Sequence, residues 1–166
     1  MQEVLIIRQP QNRNEFAAMY DLRWHILYKP WDQAKGAEKD GEEQTATHFI
    51  AVLHEKVIGT ARLHKLNENV AQIKYMVVEE SYRGKGIGSK MLEAIHLTAK
   101  NQFIKFILLN APEPAISFFA KYGYKIEEEG PDLFGKMTQK KMLIQFTRSD
   151  KRMQQIVNNL KKTLLS

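Results

Sequence analysis

Three glycines at two-residue spacing, Gly84, Gly86 and Gly88, stand between an apolar, β-branched run and an amphipathic one, and Arg83, Lys85 and Lys90 stand among them. Glycine at such a turn lets the backbone approach a ligand with no Cβ in the way. A helix that opens directly afterwards turns the N–H groups of its first turn, and the positive end of its dipole, toward whatever sits there. Together these features describe a seat for a pyrophosphate. Two familiar phosphate loops fail on the residues. G-x-x-x-x-G-K-[ST] fails because Lys90 is preceded by Ser89 and followed by Met91. G-x-G-x-x-G, counted from Gly84, needs glycine where Ser89 stands, and no acidic residue with a ribose role follows a later strand. What is present is R-G-x-G-x-G over residues 83–88. The plain alternative is a glycine-rich turn with solvated charges, and the neighbouring elements decide between the two.

Those elements are legible. VAQIKYMVV (Val70–Val78) reads as a strand running into the turn, and MLEAIHLTA beyond it as a helix. FIKFILLNA, residues 103–111, is a continuous apolar run of the kind a buried strand shows. Pro112 and Pro114 then break the chain, residues 115–122 make a short helix, Gly123 suits its C-terminal cap, and Tyr124 begins another strand. Toward the N-terminus, residues 3–8 form a first strand. Asn12 and Glu15 stand at capping-box spacing, and Phe16, Met19, Tyr20, Arg23, Trp24 and Leu27 mark one face of a helix. Residues 29–47 are polar and aperiodic, a loop with room for one helical turn. Residues 48–54 and 57–66 make a hairpin around Glu55-Lys56, and residues 140–147 a last strand.

Composition sets the bounds. At 166 residues the chain is one domain by length and large enough to bury a core. It has no cysteine, hence no disulfide, thiolate metal site or thiol nucleophile. No run of 18 apolar residues spans a membrane, and the N-terminus MQEVLIIRQ reads as a strand and not as a signal peptide. A cytoplasmic protein is the expectation. The formal charge of +6 is spread over the chain with no helix-turn-helix, zinc-finger or RNA-binding signature, so no nucleic-acid partner is expected. Residues 148–166 stand apart: Met153, Ile156, Val157, Leu160 and Leu164 share one face of an amphipathic helix. That helix packs back on a domain of residues 1–147, or forms a homodimer or partner contact.

The run at residues 83–88, behind a strand ending MVV, resembles the acetyl-CoA signature of the GNAT N-acetyltransferase superfamily. The pattern A-x-x-F-[YF]-x-K-x-G-[FY] over residues 115–124 resembles the second signature of that family. The resemblance extends over residues 4–146 and implies an α/β (α+β) fold. Its central sheet is mixed and mostly antiparallel, is flanked by helices, and has a splayed pair of strands where CoA enters. It further implies that acetyl passes directly from acetyl-CoA to a primary amine held in the same complex, with no metal. The backbone at Met76, Val77 and Val78 would pair with the pantetheine arm, and an N–H of Val77 or Val78 would polarise the thioester carbonyl. Arg83, Gly84, Lys85, Gly86, Ile87, Gly88 and Ser89 would hold the pyrophosphate. Asn110 would hydrogen-bond the cofactor or a water near the sulfur, or is a strand-end turn residue. Phe119 would lie beside the cofactor.

Two departures concern catalysis. Many family members carry a tyrosine in the short helix as general acid, and the matching residue here is Phe119. Tyr122, three residues on, shares a helical face with it and is the candidate acid, or a packing tyrosine. The strand Val70–Val78 has no carboxylate, where some members carry a glutamate. His48 is the candidate base because its ordinary pKa lies near working pH, or it is a structural histidine. Glu79 and Glu80 sit just past the strand, facing solvent.

The N-terminal part, DLRWHILYKPWDQ followed by THFIAV and GTARL, resembles one branch of the superfamily, in which the first helix and the following loop build the acceptor pocket. Arg23, Trp31, Glu38, Asp40, Glu42 and Glu43 would serve there, with the carboxylates suiting an aminated substrate. A solvated charged loop is the ordinary alternative. The branch's G-I-x-H-x-x-M strand is here MTQKKM, with Lys140 in place of the histidine. The expected activity is therefore N-acetyl transfer to a small-molecule or peptide amine. A GNAT-like module that binds acetyl-CoA without turnover is the alternative.

Overall fold

The structure, a computed structural model, describes residues 4–146. Along them run β1 (Ile6–Arg8), α1 (Arg13–Leu27), β2 (Thr47–Leu53), β3 (Lys56–Lys65), β4 (Val70–Val78), α2 (Ile87–Asn101), β5 (Phe106–Pro112), α3 (Ile116–Lys121), β6 (Lys125–Glu129) and β7 (Gln139–Gln145). Single 3-10 turns stand at Lys29–Trp31, Glu80–Tyr82 and Glu113–Ala115. The strands hydrogen-bond in the order β1-β2-β3-β4-β5-β7-β6. β4 and β5 run parallel, whereas β1/β2, β2/β3, β5/β7 and β6/β7 are antiparallel. This is the mixed, mostly antiparallel sheet flanked by helices that the family resemblance implies. The expected C-terminal helix of residues 148–166 lies outside the described residues, among which no helix is long and apolar enough to cross a membrane.

Two compact units divide the chain, one holding residues 4–64 and 73–95, the other residues 65–72 and 96–146. In the first, Asn12 caps α1 by accepting from the Glu15 N–H at 2.9 Å. Glu15 reaches back to the N–H of Gln11 (2.8 Å), one residue short of a full capping box, and takes both terminal nitrogens of Arg8. The Arg8 hydrogen bonds hold the Glu15 carboxyl down at about 2. The inner face of α1 buries Met19 against Ile50 and Val52 of β2, with Tyr20 and Val57 partly buried beside them. Full burial of such aliphatic side chains contributes roughly 1.5–3 kcal/mol each.

The β2–β3 hairpin turns at His54-Glu55, both left-handed (φ 49° and 63°), with Leu53 opposite Lys56. The turn lies one residue earlier than expected. Two consecutive left-handed residues are what a tight two-residue hairpin requires, and neither is the Asn or Gly that usually announces it. In β3, a Cβ on Gly59 would come within 2.9 Å of Met91 Sδ and 3.1 Å of Ala51 Cβ, so only glycine lets α2 seat this closely. α2 buries Ile87, Met91, Leu92 and Ile95, the i, i+4, i+8 face of an amphipathic helix.

In the second unit, Val70, Ala71 and Gln72 of β4 pair with Phe106, Ile107 and Leu108 of β5. β5 starts at Phe106 and not at residue 103, because Phe103 is left-handed (φ 61°) and Lys105 N–H turns to the carbonyl of Asn69. Gly123 (φ 98°) ends α3 as predicted, with the Tyr124 N–H returning to Phe119 O and the Gly123 N–H to Ala120 O. His96 Nε2 lies 2.8 Å from the hydroxyl of buried Tyr124. β6 is wholly exposed, its Glu128 and Glu129 paired with Lys141 and Lys140 of β7.

Candidate active site

The glycine turn has the geometry of an anion seat. After the Glu80–Tyr82 turn, Gly84 and Gly86 are left-handed (φ 77° and 80°), and a Cβ built on either would meet nothing within 4 Å. The backbone is bare on that side. The helical ladder of α2 begins where the Lys90 N–H closes on Gly86 O (3.1 Å), which leaves the N–H groups of Ile87 and Gly88 ahead of it without an intrahelical acceptor. Arg83 uses its Nε to cap the carbonyl of Val78 at 2.9 Å, and the Glu79 N–H donates to Ile58 O at 2.8 Å. Both bonds fix the exit of β4, where Met76, Val77 and Val78 lie. Lys85 and Lys56 each stand over the Tyr82 ring, 5.6 and 5.7 Å from its centre.

Upstream, in the same unit, α1, β3, β4 and the segment of residues 32–46 assemble a buried ionic cluster. Arg23 and Arg62 are 0% and 1% exposed. Glu43 accepts from both, at 2.7 Å from Arg23 and 2.8 Å from Arg62. Asp40 takes Arg62 through both carboxylate oxygens (2.6 and 2.9 Å), and those bonds hold its carboxyl well below the usual carboxylate range. The Glu38 carbonyl accepts from Arg23, and its carboxylate accepts from the Gly36 N–H. Both guanidiniums stack on Tyr75, at 4.1 and 4.8 Å from the ring centre. Arg23 Nε and Nη2 and Arg62 Nε are buried with no hydrogen-bond partner among the described residues.

The profile of the Acetyltransferase (GNAT) family matches residues 16–124. The chain belongs to that family. The acetyltransferase is 23% identical, over 119 residues, to the uncharacterized N-acetyltransferase YjcF of Bacillus subtilis (strain 168), covering 72% of this chain and 84% of that one. Its fold is similar to a GNAT acetyltransferase of Elizabethkingia anophelis solved with acetyl-CoA bound, with a TM-score of 0.72, 18% identity, and 86% and 98% of the two chains covered. It is similar also to an aminoglycoside 6'-N-acetyltransferase complexed with coenzyme A (TM-score 0.72, 17% identity, 84% and 96% covered).

Within this acyltransferase the predicted residues fall into three sets. Met76, Val77, Val78 and the turn from Arg83 to Ser89 are brought together in the first unit. Asn110 and Phe119 lie in the second. Asn110 Oδ1 is buried with no partner among the described residues, and a Cβ on Gly130 would press it at 3.2 Å. Phe119 is buried, edge-on to Phe118 and Tyr124, and the Tyr122 ring packs on Phe118 at 5.3 Å between centres.

His48 forms the third set. It is 5% exposed, edge-on to Phe16 and Tyr20, with Nε2 2.7 Å from the Glu43 carbonyl. A carbonyl only accepts, so Nε2 carries the proton, and the other nitrogen, Nδ1, is buried without a partner among the described residues. Burial pushes its pKa down. Lys140, where the branch has histidine, is paired with Glu129.

Sequence reasoning did not single out Arg62 or Tyr75. One signal was available: Arg23 falls inside the apolar face of α1, and a charge there needs a partner brought from elsewhere.

Proposed function

We propose that this acetyltransferase moves acetyl from acetyl-CoA to a primary amine directly, with both bound at once. The observation that carries the reading is the bare, left-handed Gly84–Gly86 backbone feeding the N-terminus of α2. A pyrophosphate fits there with no side chain to displace. Bound there, acetyl-CoA supplies an activated acyl group whose transfer needs carbonyl polarisation, a deprotonated amine and a proton for the departing sulfur. The chain's own part begins with positioning. Arg83 and the Glu79 N–H hold the end of β4 still, so that the Met76, Val77 and Val78 backbone can receive the pantetheine arm and aim an N–H at the acyl oxygen. Arg83, Lys85 and the α2 N–H groups meet the pyrophosphate charge. Asn110 and Phe119 keep the roles that the family resemblance implies, and Tyr122, in place of the family's tyrosine, stays the candidate acid from its helical spacing to Phe119.

The amine remains a class: a small molecule, a peptide N-terminus or a lysine. The burial of His48 and its single bonded nitrogen argue for a scaffold role, so the reading places no proton transfer on it. Of the loop carboxylates considered for the acceptor's ammonium, Glu38, Asp40 and Glu43 are satisfied internally by Gly36, Arg62, Tyr75 and Arg23, and the half-exposed Glu42 lies 2.9 Å from His64 Nε2. A cytoplasmic location remains the expectation.

Calorimetric titration with acetyl-CoA, with CoA, ATP and NAD as controls, tests the loop. Selective micromolar binding is expected, followed by acceptor-dependent release of free thiol in an amine screen. A preference for ATP or NAD would remove the reading, and tight binding with no turnover on any amine would leave the ligand-binding alternative.

A further inference from the structure

We propose that Asp40, acting through the hydroxyl of Tyr75, is a positioning residue for the cofactor strand. It holds Tyr75 in the backbone conformation that sets the course of Met76, Val77 and Val78. The inference rests on the reading of those three residues as the seat of the pantetheine arm.

Tyr75 is left-handed (φ 57°) in the middle of β4. A residue with a bulky Cβ substituent stays in that region only where its surroundings over-determine it. Here they do. The Tyr75 hydroxyl donates to Asp40 Oδ2 at 3.1 Å and also hydrogen-bonds the Tyr28 side chain, and the Tyr75 carbonyl accepts from the wholly buried Thr60 hydroxyl at 3.0 Å. The Arg23 and Arg62 guanidiniums stack on the ring. Asp40 is itself fixed: Arg62 holds both of its oxygens, the Glu42 N–H donates to Oδ1 at 2.9 Å, and Lys74 Nζ stands 3.5 Å from Oδ2. These partners come from α1, β3 and the segment of residues 32–46, and they converge on the residue immediately before Met76.

The cluster contains its own control. Glu43 binds Arg62, as Asp40 does, and also Arg23, the other guanidinium stacked on Tyr75, yet it makes no hydrogen bond to the Tyr75 hydroxyl among the described residues. Removing its charge weakens the cluster and leaves the Asp40–Tyr75 bond in place. Removing Asp40 or the hydroxyl releases the strand.

The test is the acetyl-CoA Kd of the full chain by calorimetry, with Tm measured alongside, for the wild type, Tyr75→Phe, Asp40→Ala, Asp40→Asn and Glu43→Gln. Tyr75→Phe and Asp40→Ala are expected to raise Kd about tenfold, the scale of a lost hydrogen bond to a charged group. Asp40→Asn keeps an oxygen for the hydroxyl and should recover most of the affinity. Glu43→Gln should lower Tm with Kd within about twofold of wild type. Equal Kd in Tyr75→Phe and wild type would overturn the inference, as would a Kd that follows Tm through all four variants, Glu43→Gln included. If Asp40→Ala does not fold, Tyr75→Phe decides by comparison with Tyr28→Phe, which removes only the Tyr28–Tyr75 bond and should leave Kd near that of the wild type. A wild type that fails to bind acetyl-CoA refutes the functional reading and this inference with it, whereas binding by the wild type isolates the positioning claim.

Discussion

The glycine turn at residues 83–88 and the arginine cluster around Tyr75 share one compact unit and are built from opposite materials. The turn is backbone: bare φ-positive glycines and helix N–H groups, contiguous in sequence and open to a ligand. The cluster is side chain. Its members, Arg23, Asp40, Glu43, Arg62 and Tyr75, are far apart in sequence and meet only when the segment of residues 32–46 folds over β3 and β4. One binds through what it lacks, and the other is stable only if every charge finds its partner. Damage should therefore show as lost affinity in the turn and as lost stability in the cluster.

The largest effect should come from Arg62→Met, which removes the bidentate partner of Asp40 and one of the two arginines of Glu43. Loss of one member of a buried ion pair costs about 3–5 kcal/mol, read by denaturant unfolding. If stability barely changes, the cluster is not the strut described here. Next, Gly86→Val should weaken acetyl-CoA binding at least about 100-fold, or about 2.7 kcal/mol, with a far smaller change in denaturation midpoint than Arg62→Met. Retained affinity would move the anion seat elsewhere.

The second unit offers a pH reference outside both regions. Burial, with Lys100 nearby, pushes the His96 pKa down to about 4, and Nε2 of the neutral ring lies 2.8 Å from the Tyr124 hydroxyl. A folded pKa below the unfolded value near 6.5 means that the stabilisation is complete above about pH 6.5 and is lost as pH falls toward 4. About 2 kcal/mol should go between pH 7 and pH 5, and His96→Gln should flatten that slope. Asp40, whose carboxyl is depressed by Arg62, contributes stability that is fully present above the usual carboxylate range and is lost only as pH falls below it, so the arginine cluster should outlast the His96 pair on acidification. The smallest effect is expected for Lys140→Ala. Its exposed partner Glu129 makes the pair worth at most about 1 kcal/mol in stability, and no loss of acetyl-CoA affinity should accompany it.

The same contrast explains what could be read before the structure. β4 was legible to its last residue, and the turn and α2 with it, because period, glycine spacing and charge all lie within thirty consecutive positions. The hairpin turn slipped by one residue because His54 and Glu55 adopt conformations that their types do not advertise. β5 was drawn three residues too long at its start because Phe103, apolar like its neighbours, turns left-handed. The acidic loop was read as facing substrate or solvent, and residue types alone could not show that Arg23 and Arg62 draw Asp40 and Glu43 inward. Side-chain charge announces a need for partners and leaves their address to the fold.

Among the described residues the sheet ends at β6, Lys125–Glu129, and this has a consequence for the protein in crowded solution. An unpaired strand edge invites another strand to add, which is the first step of many aggregates. Here that edge offers Glu127, Glu128 and Glu129 in a row, all exposed beside a half-exposed Ile126. A second copy zipping onto it would set carboxylates against carboxylates, with Lys140 and Lys141 already committed to β6. On a chain with six net positive charges, this short acidic border repels its own image and keeps the sheet from growing.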